Sequence, residues 1–211
     1  MTPELPEPLA ESWQSAGTRT GETSVLVASI TAETTLYEPV DATGDGASQE
    51  PLDEVVASKI PPRSLFVVDL TISPSLPSIG VSPAGVLETA APKAKSQFVD
   101  LVEGDGLAVE GVRDRLEFEG PTGDAGIWYV MDMDYSLDSE QAGESAGLRA
   151  EAHVAVWPTE TTYGVAGGIL PLEATDGSVT APDADPERDR ETISELVRTL
   201  ELDPGESDPA E

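Results

Sequence analysis

The stretch GIWYVMDMDYS, residues 126–136, puts Ile127, Tyr129, Met131, Met133 and Tyr135 on one side and Trp128, Val130, Asp132 and Asp134 on the other. Strict alternation has the period of a strand with one buried face. LRAEAHVAVW, residues 148–157, repeats it, with Leu148, Ala150, Ala152, Val154 and Val156 on the apolar side. Pro158, Thr159 and Glu160 then turn the chain into TTYGVAGGIL, residues 161–170, a hairpin by its spacing. Consecutive strands joined this way make an antiparallel sheet, and the rest of the chain is read outward from it.

Matching apolar faces restricts the pairing of 126–136 with 148–157 to registers of like parity. One such register sets Trp128 opposite Trp157, Asp132 opposite His153, Asp134 opposite Glu151 and Ser136 opposite Arg149. It joins an aromatic pair to a charge pair, and is the register expected.

Upstream, residues 63–73 alternate Phe66, Val68, Leu70 and Ile72 against Leu65, Val67, Asp69 and Thr71, and predict another strand. Residues 91–103 predict a helix with Pro92 in its first turn, Ala94, Phe98, Leu101 and Val102 on one face, and Gly104 at its cap. Residues 107–119 supply one or two strands. Residues 23–30 and 31–38, rich in β-branched side chains, form one long bent strand or two paired ones. Near the end, Asp185, Pro186 and Glu187 are a cap, a first-turn proline and a first-turn acid. Ile193, Leu196, Val197 and Leu200 follow as the stripe of an amphipathic helix over 187–202. Residues 41–51 read as a loop and 52–59 as a short helix. Residues 1–12, with three prolines and three glutamates, read as a flexible arm, and 203–211 as a disordered acidic tail. The expected fold is α+β: one domain over 13–202, with a single antiparallel sheet of about five to seven strands and two or three helices packed on it.

Charge says where such a chain works. It carries 41 Asp and Glu against 11 Lys and Arg, a net charge of −30 on 211 residues, beside an ordinary apolar fraction of 38%. The acids run from Glu4 to Glu211 rather than forming one patch. An excess this uniform suits molar salt, where repulsion reaches roughly 3 Å instead of roughly 8–10 Å. It repels nucleic acid and anionic lipid alike. The absence of cysteine removes disulfides, thiolate metal sites and cysteine nucleophiles. The first eight residues lack a basic start and an apolar core, so no secretory signal is read there, no run is long enough to span a membrane, and the expected address is the cytoplasm.

His153 is the single histidine, so any histidine chemistry must use it. Beside Asp132 it could act as a general base or a metal ligand, with Asp132, Asp134 and Glu151 completing an acidic set. The structural alternative is a cross-strand ion pair on a half-exposed face. Asp132, Asp134, Asp138 and Glu140 approach a calcium loop, but Ser136 stands where an acid is required and Leu137 where glycine is. Gly164, Gly167 and Gly168 lack the lysine of a phosphate loop and instead mark close approach by a helix or backbone. Arg188 and Arg190, interleaved with Glu187, Asp189 and Glu191, read as ion pairs on a helix surface.

KSQFVDLVEGDGL, residues 95–107, and LRAEAHVAVWPTETTYGVAGGILP, residues 148–171, resemble a group of uncharacterised acidic proteins of salt-loving archaea, many of them lipoproteins. The order of strands and helices is also similar to the PsbP-like fold, an antiparallel sheet with helices on both sides. That group has no established activity, so the resemblance assigns no functional residue. With no cysteine to acylate, this chain does not take over a lipid anchor.

The function expected is a non-enzymatic, soluble binding or interaction module. It needs no cofactor and binds an unidentified protein or small molecule, with a homodimer allowed. The alternative is a small hydrolase or cation-dependent enzyme centred on Asp132, Asp134, Glu151 and His153, and a third reading is an adaptor that docks through its C-terminal helix. A concave pocket beside His153 favours the enzyme, and a flat exposed apolar patch favours the adaptor.

Overall fold

Among the described residues seven strands pair into one antiparallel sheet: β1 (Trp13–Val25), β2 (Ala28–Pro39), β3 (Ser64–Ser73), β4 (Leu107–Glu119), β5 (Ala125–Ser136), β6 (Gly147–Pro158) and β7 (Tyr163–Ala174). Their order is β1-β2-β3-β7-β6-β5-β4, so two meanders meet where β3 pairs with β7. Among the described residues three α-helices accompany the sheet, α1 (Glu7–Ala10), α2 (Leu87–Gly104) and α3 (Pro186–Thr199), in an α+β architecture. The computed structural model describes residues 5–25, 28–40, 60–136, 147–174 and 185–200. The expected loop at 41–51, helix at 52–59 and tail at 203–211 lie outside the described residues.

Alternation decides which side chains meet which helix. Ile127, Tyr129, Met131, Met133 and Tyr135 of β5, with Leu148, Ala150, Ala152, Val154 and Val156 of β6, are all buried in one cluster under α2. The opposite face carries a second cluster: Leu65 and Val67 of β3, Ala155 and Trp157 of β6, and Ala166 and Leu170 of β7. It is closed by Ile193, Leu196 and Val197 of the C-terminal helix and by Leu200 at its C-cap, as their spacing predicts. Full burial of one such side chain contributes roughly 1.5–3 kcal/mol, and Asp185 caps this helix by accepting the Arg188 N–H at 3.1 Å. The stripe is therefore core, not a docking surface.

The glycines of β7 are explained by what lies over them. A Cβ on Gly164 would come within 2.2 Å of the Trp157 indole, and one on Gly168 within 2.8 Å of Ile193 and 2.7 Å of the Ser64 carbonyl oxygen. Removing those side chains lets an indole and a helix settle directly on the strand.

Several expectations are corrected. Residues from Leu5 on are not a loose arm: Leu5 and Leu9, the latter within α1, are buried in one cluster with Trp13. The first strand starts at Trp13, ten residues before the β-branched run, and of that run residues 23–25 end β1 while 28–30 begin the antiparallel β2. Helix α2 begins at Leu87, so Pro92 lies inside it. The left-handed residue after that helix is Gly106, at φ 94°, rather than Gly104.

The β5–β6 register keeps the expected parity but is shifted by two residues. Trp128 faces Ala155, Val130 faces His153, Asp132 faces Glu151 and Asp134 faces Arg149. The two indoles are joined instead through Phe118 of β4, edge-on to Trp128 at 5.5 Å and to Trp157 at 6.3 Å between ring centroids. The like-charge pair Asp132–Glu151 is tolerated because Arg113 of β4 bridges it and Arg190 of α3 pairs with Glu151.

Candidate functional site

The structure places Asp132, Glu151 and His153 on the face covered by α3, and brings them together in a way the strand pairing alone does not show. Glu151 is fully buried and His153 is 7% exposed, because α3 covers what the sequence reads as a half-exposed face. The Glu151 carboxylate accepts four hydrogen bonds. Oε1 takes Arg190 Nε at 2.7 Å and His153 Nε2 at 2.6 Å; Oε2 takes Arg190 Nη2 at 3.0 Å and Arg113 Nη2. The two bonds from Arg190 form the bidentate fork that suits a carboxylate. Arg113 also donates from Nη1 to Asp132 Oδ1 at 3.1 Å.

Arg113 reaches this point because β4 is irregular between Val112 and Asp114, where its pairing with β5 shifts. A bulge supplies one extra residue and re-aims its side chain, here toward Asp132. Burial alone pushes the Glu151 carboxyl up, but hydrogen bonds from His153, Arg190 and Arg113 more than reverse this and hold it well below the ordinary carboxylate range.

His153 is equally engaged. Trp128 Nε1 donates to its Nδ1 at 2.9 Å. An indole nitrogen can only donate, so Nδ1 is the unprotonated nitrogen and Nε2–H is the donor to Glu151. The expected ion pair with Asp132 does not form: Asp132 pairs with Arg113, and the acid on His153 is Glu151. Asp134 stands apart, opposite Arg149, and Asp138 and Glu140 lie outside the described residues. Among the described residues no group of three or more His, Asp or Glu is placed to hold a metal ion. Two carboxylates here meet two guanidiniums, and every lone pair of Glu151 is already used.

Neighbouring α3 residues leave the surface too. Asp189 is buried and accepts Arg63 Nε at 2.9 Å and Nη2 at 2.6 Å on one oxygen, while Arg63 lies over the Trp13 ring at 5.7 Å. The interleaved charges of 187–191 thus include two tertiary anchors, not only surface pairs. The sequence reading did not find Arg113, Arg190 or Trp128 as members of the cluster. The available signal was scarcity: a chain with eleven basic residues has few cations with which to neutralise a buried acid.

A hollow of about 470 Å³ lies on the outer side of α3, lined by Arg190, Ser194, Arg198 and their neighbours but by neither Glu151 nor His153. A more apolar cavity is on the other face. Helix α2 packs on β4, β5 and β6. Between it and the β1–β2–β3 half of the sheet lies a cavity of about 390 Å³. Its sheet wall follows the register, Ile30 beside Ile72, Ala32 beside Leu70, Thr34 beside Val68 and Leu36 beside Phe66. Its helix wall is Ala90, Ala94, Phe98 and Leu101. Phe66 stacks on Phe98 at 5.0 Å between centroids. Tyr163 also lines it, its hydroxyl donating to the Pro83 carbonyl at 3.0 Å, and burial pushes that phenol up.

A family model described as Domain of unknown function (DUF6517) matches residues 7–201. The chain belongs to that family. The match runs from α1 to just past α3 and so includes both the ion cluster and the cavity. No curated protein and no solved structure matches the chain.

Proposed function

We propose that this chain is a non-enzymatic binding module for a high-salt cytoplasm, and that it takes a small, largely apolar ligand in the cavity between α2 and β1–β2–β3. The carrying observation is the cavity itself: about 390 Å³ walled by aliphatic and aromatic side chains. Small-molecule sites have roughly 300–1,000 Å³ and walls of this chemistry. The enzyme reading is less well supported, because both nitrogens of His153 and both oxygens of Glu151 are occupied by partners within the protein. A general base needs a free lone pair within reach of substrate. The adaptor reading loses its surface, since Ile193, Leu196, Val197 and Leu200 are core.

The neutral fluorophore N-phenylnaphthylamine tests this reading in molar KCl. Its emission should rise on binding to the native chain. Ala94→Phe, which fills the cavity from the helix wall, should abolish the rise while leaving the circular dichroism spectrum unchanged. Equal emission from the filled variant, or none from the native chain, would contradict the proposal.

A further inference from the structure

Resting on that reading, we infer that the ligand of the cavity is an amphipathic anion, a hydrocarbon body ended by a carboxylate or a phosphate. The polar side chains among the described lining residues are Arg19, Thr20, Thr23, Thr34, Lys93, Gln97 and Tyr163. Two are cations and five are neutral. No Asp or Glu is among them, in a chain with 41 acids against 11 basic residues. If polar lining positions followed the composition of the chain, acids would outnumber bases there. They do the reverse.

The local sign matters more in this protein than in an ordinary one. At −30 the chain as a whole repels an approaching anion. In molar salt that repulsion is screened over roughly 3 Å, so only groups in near contact with a bound headgroup still act on it. Those groups are Lys93 on α2, Arg19 on β1 with the acid it meets, and uncharged donors. Arg19 is held by an ion pair with Asp105, just past the end of α2, so its charge is matched, and Lys93 is the lining cation with no acid partner among the described residues. Lys93 is exposed and carries its charge on a flexible stem that can bend to a headgroup. An apolar chamber bordered by the unpaired Lys93 and by no unpaired acid among its described lining residues matches a molecule with one apolar body and one anionic end.

The test compares decanoate, decyl phosphate and decanol by titration calorimetry in about 2 M KCl, where long-range fields are screened. At least one anion should bind roughly tenfold more tightly than decanol, the ratio expected from about 1.4 kcal/mol of headgroup interaction. Lys93→Gln and Arg19→Gln should each erode that advantage while leaving decanol affinity unchanged, which also reports that the variants are folded. Equal binding of all three compounds in every protein would overturn the inference and leave the apolar cavity reading standing. Failure of all three to bind the native chain would overturn both.

Discussion

Trp128 donates its indole N–H to Nδ1 of His153 over 2.9 Å, and the other ring nitrogen meets Glu151 Oε1 at 2.6 Å. Because the indole cannot accept, this contact selects the neutral tautomer with its proton on Nε2. Nitrogen-15 spectra of the single histidine should show one protonated and one unprotonated ring nitrogen, with the proton on Nε2. Trp128→Phe should remove that preference. A proton on Nδ1 in the native chain would contradict the geometry.

Arg113 and Arg190 neutralise Glu151 from different elements, and either alone leaves the buried carboxylate one cation. Both guanidiniums are 40% exposed, so each single replacement by alanine should cost only about 1–2 kcal/mol. Removing both leaves a fully buried charge with only the imidazole. The double variant should exceed the sum of the singles by about 1 kcal/mol or more. Urea unfolding of the four proteins in constant salt measures this, and simple additivity would mean that the cations act independently.

Acid should unfold the protein partly through the same residue. A carboxyl whose folded pKa is depressed contributes stability that is present above its unfolded value, about 4.5, and is lost as pH falls toward the folded value. Asp189 works with the opposite sign. Burial pushes its carboxyl up despite Arg63, so its contribution is largest below the unfolded value and declines as pH rises through the folded one. The stability difference between the native chain and Glu151→Gln should therefore shrink steadily below about pH 4.5. A difference constant from pH 6 to pH 3 would show that Glu151 is not held ionised.

What the sequence allowed, and what it did not, follows from the range of each interaction. The strands of residues 126–136 and 148–157 and the stripe from Ile193 to Leu200 were legible because one face meets apolar packing at a regular period. The register differs by two from the one a Trp128–Trp157 pair favours, because Phe118 of β4 and the arginines of β4 and α3 decide it from outside the two strands. The start of β1 was hidden because most of that edge strand is exposed and its residues are small and polar. In the candidate site, Asp132, Glu151 and His153 were legible as a set. Their arginine partners were not, since Arg113 needs a bulge and Arg190 a helix docked on the neighbouring strand β7. The cavity depends on where α2 lies over the sheet, which no local pattern states.

The charge makes its own demand. With about thirty uncompensated negative charges, the folded chain repels itself more strongly as screening lengthens. The urea midpoint at neutral pH should rise as KCl goes from roughly 0.1 to 2 M. A midpoint indifferent to salt would remove the high-salt reading and favour an acidic protein made for a basic partner.

The binding-module account is tested most directly by carbon-13 methyl spectra of the Ile-, Leu- and Val-labelled chain titrated with decanol in molar KCl. The account predicts progressive shifts at Leu36, Val68, Ile72 and Val165, which line the cavity, with Leu196 and Val197 on the opposite face unmoved. Shifts centred on the α3 face, or no shifts at any methyl, would contradict it.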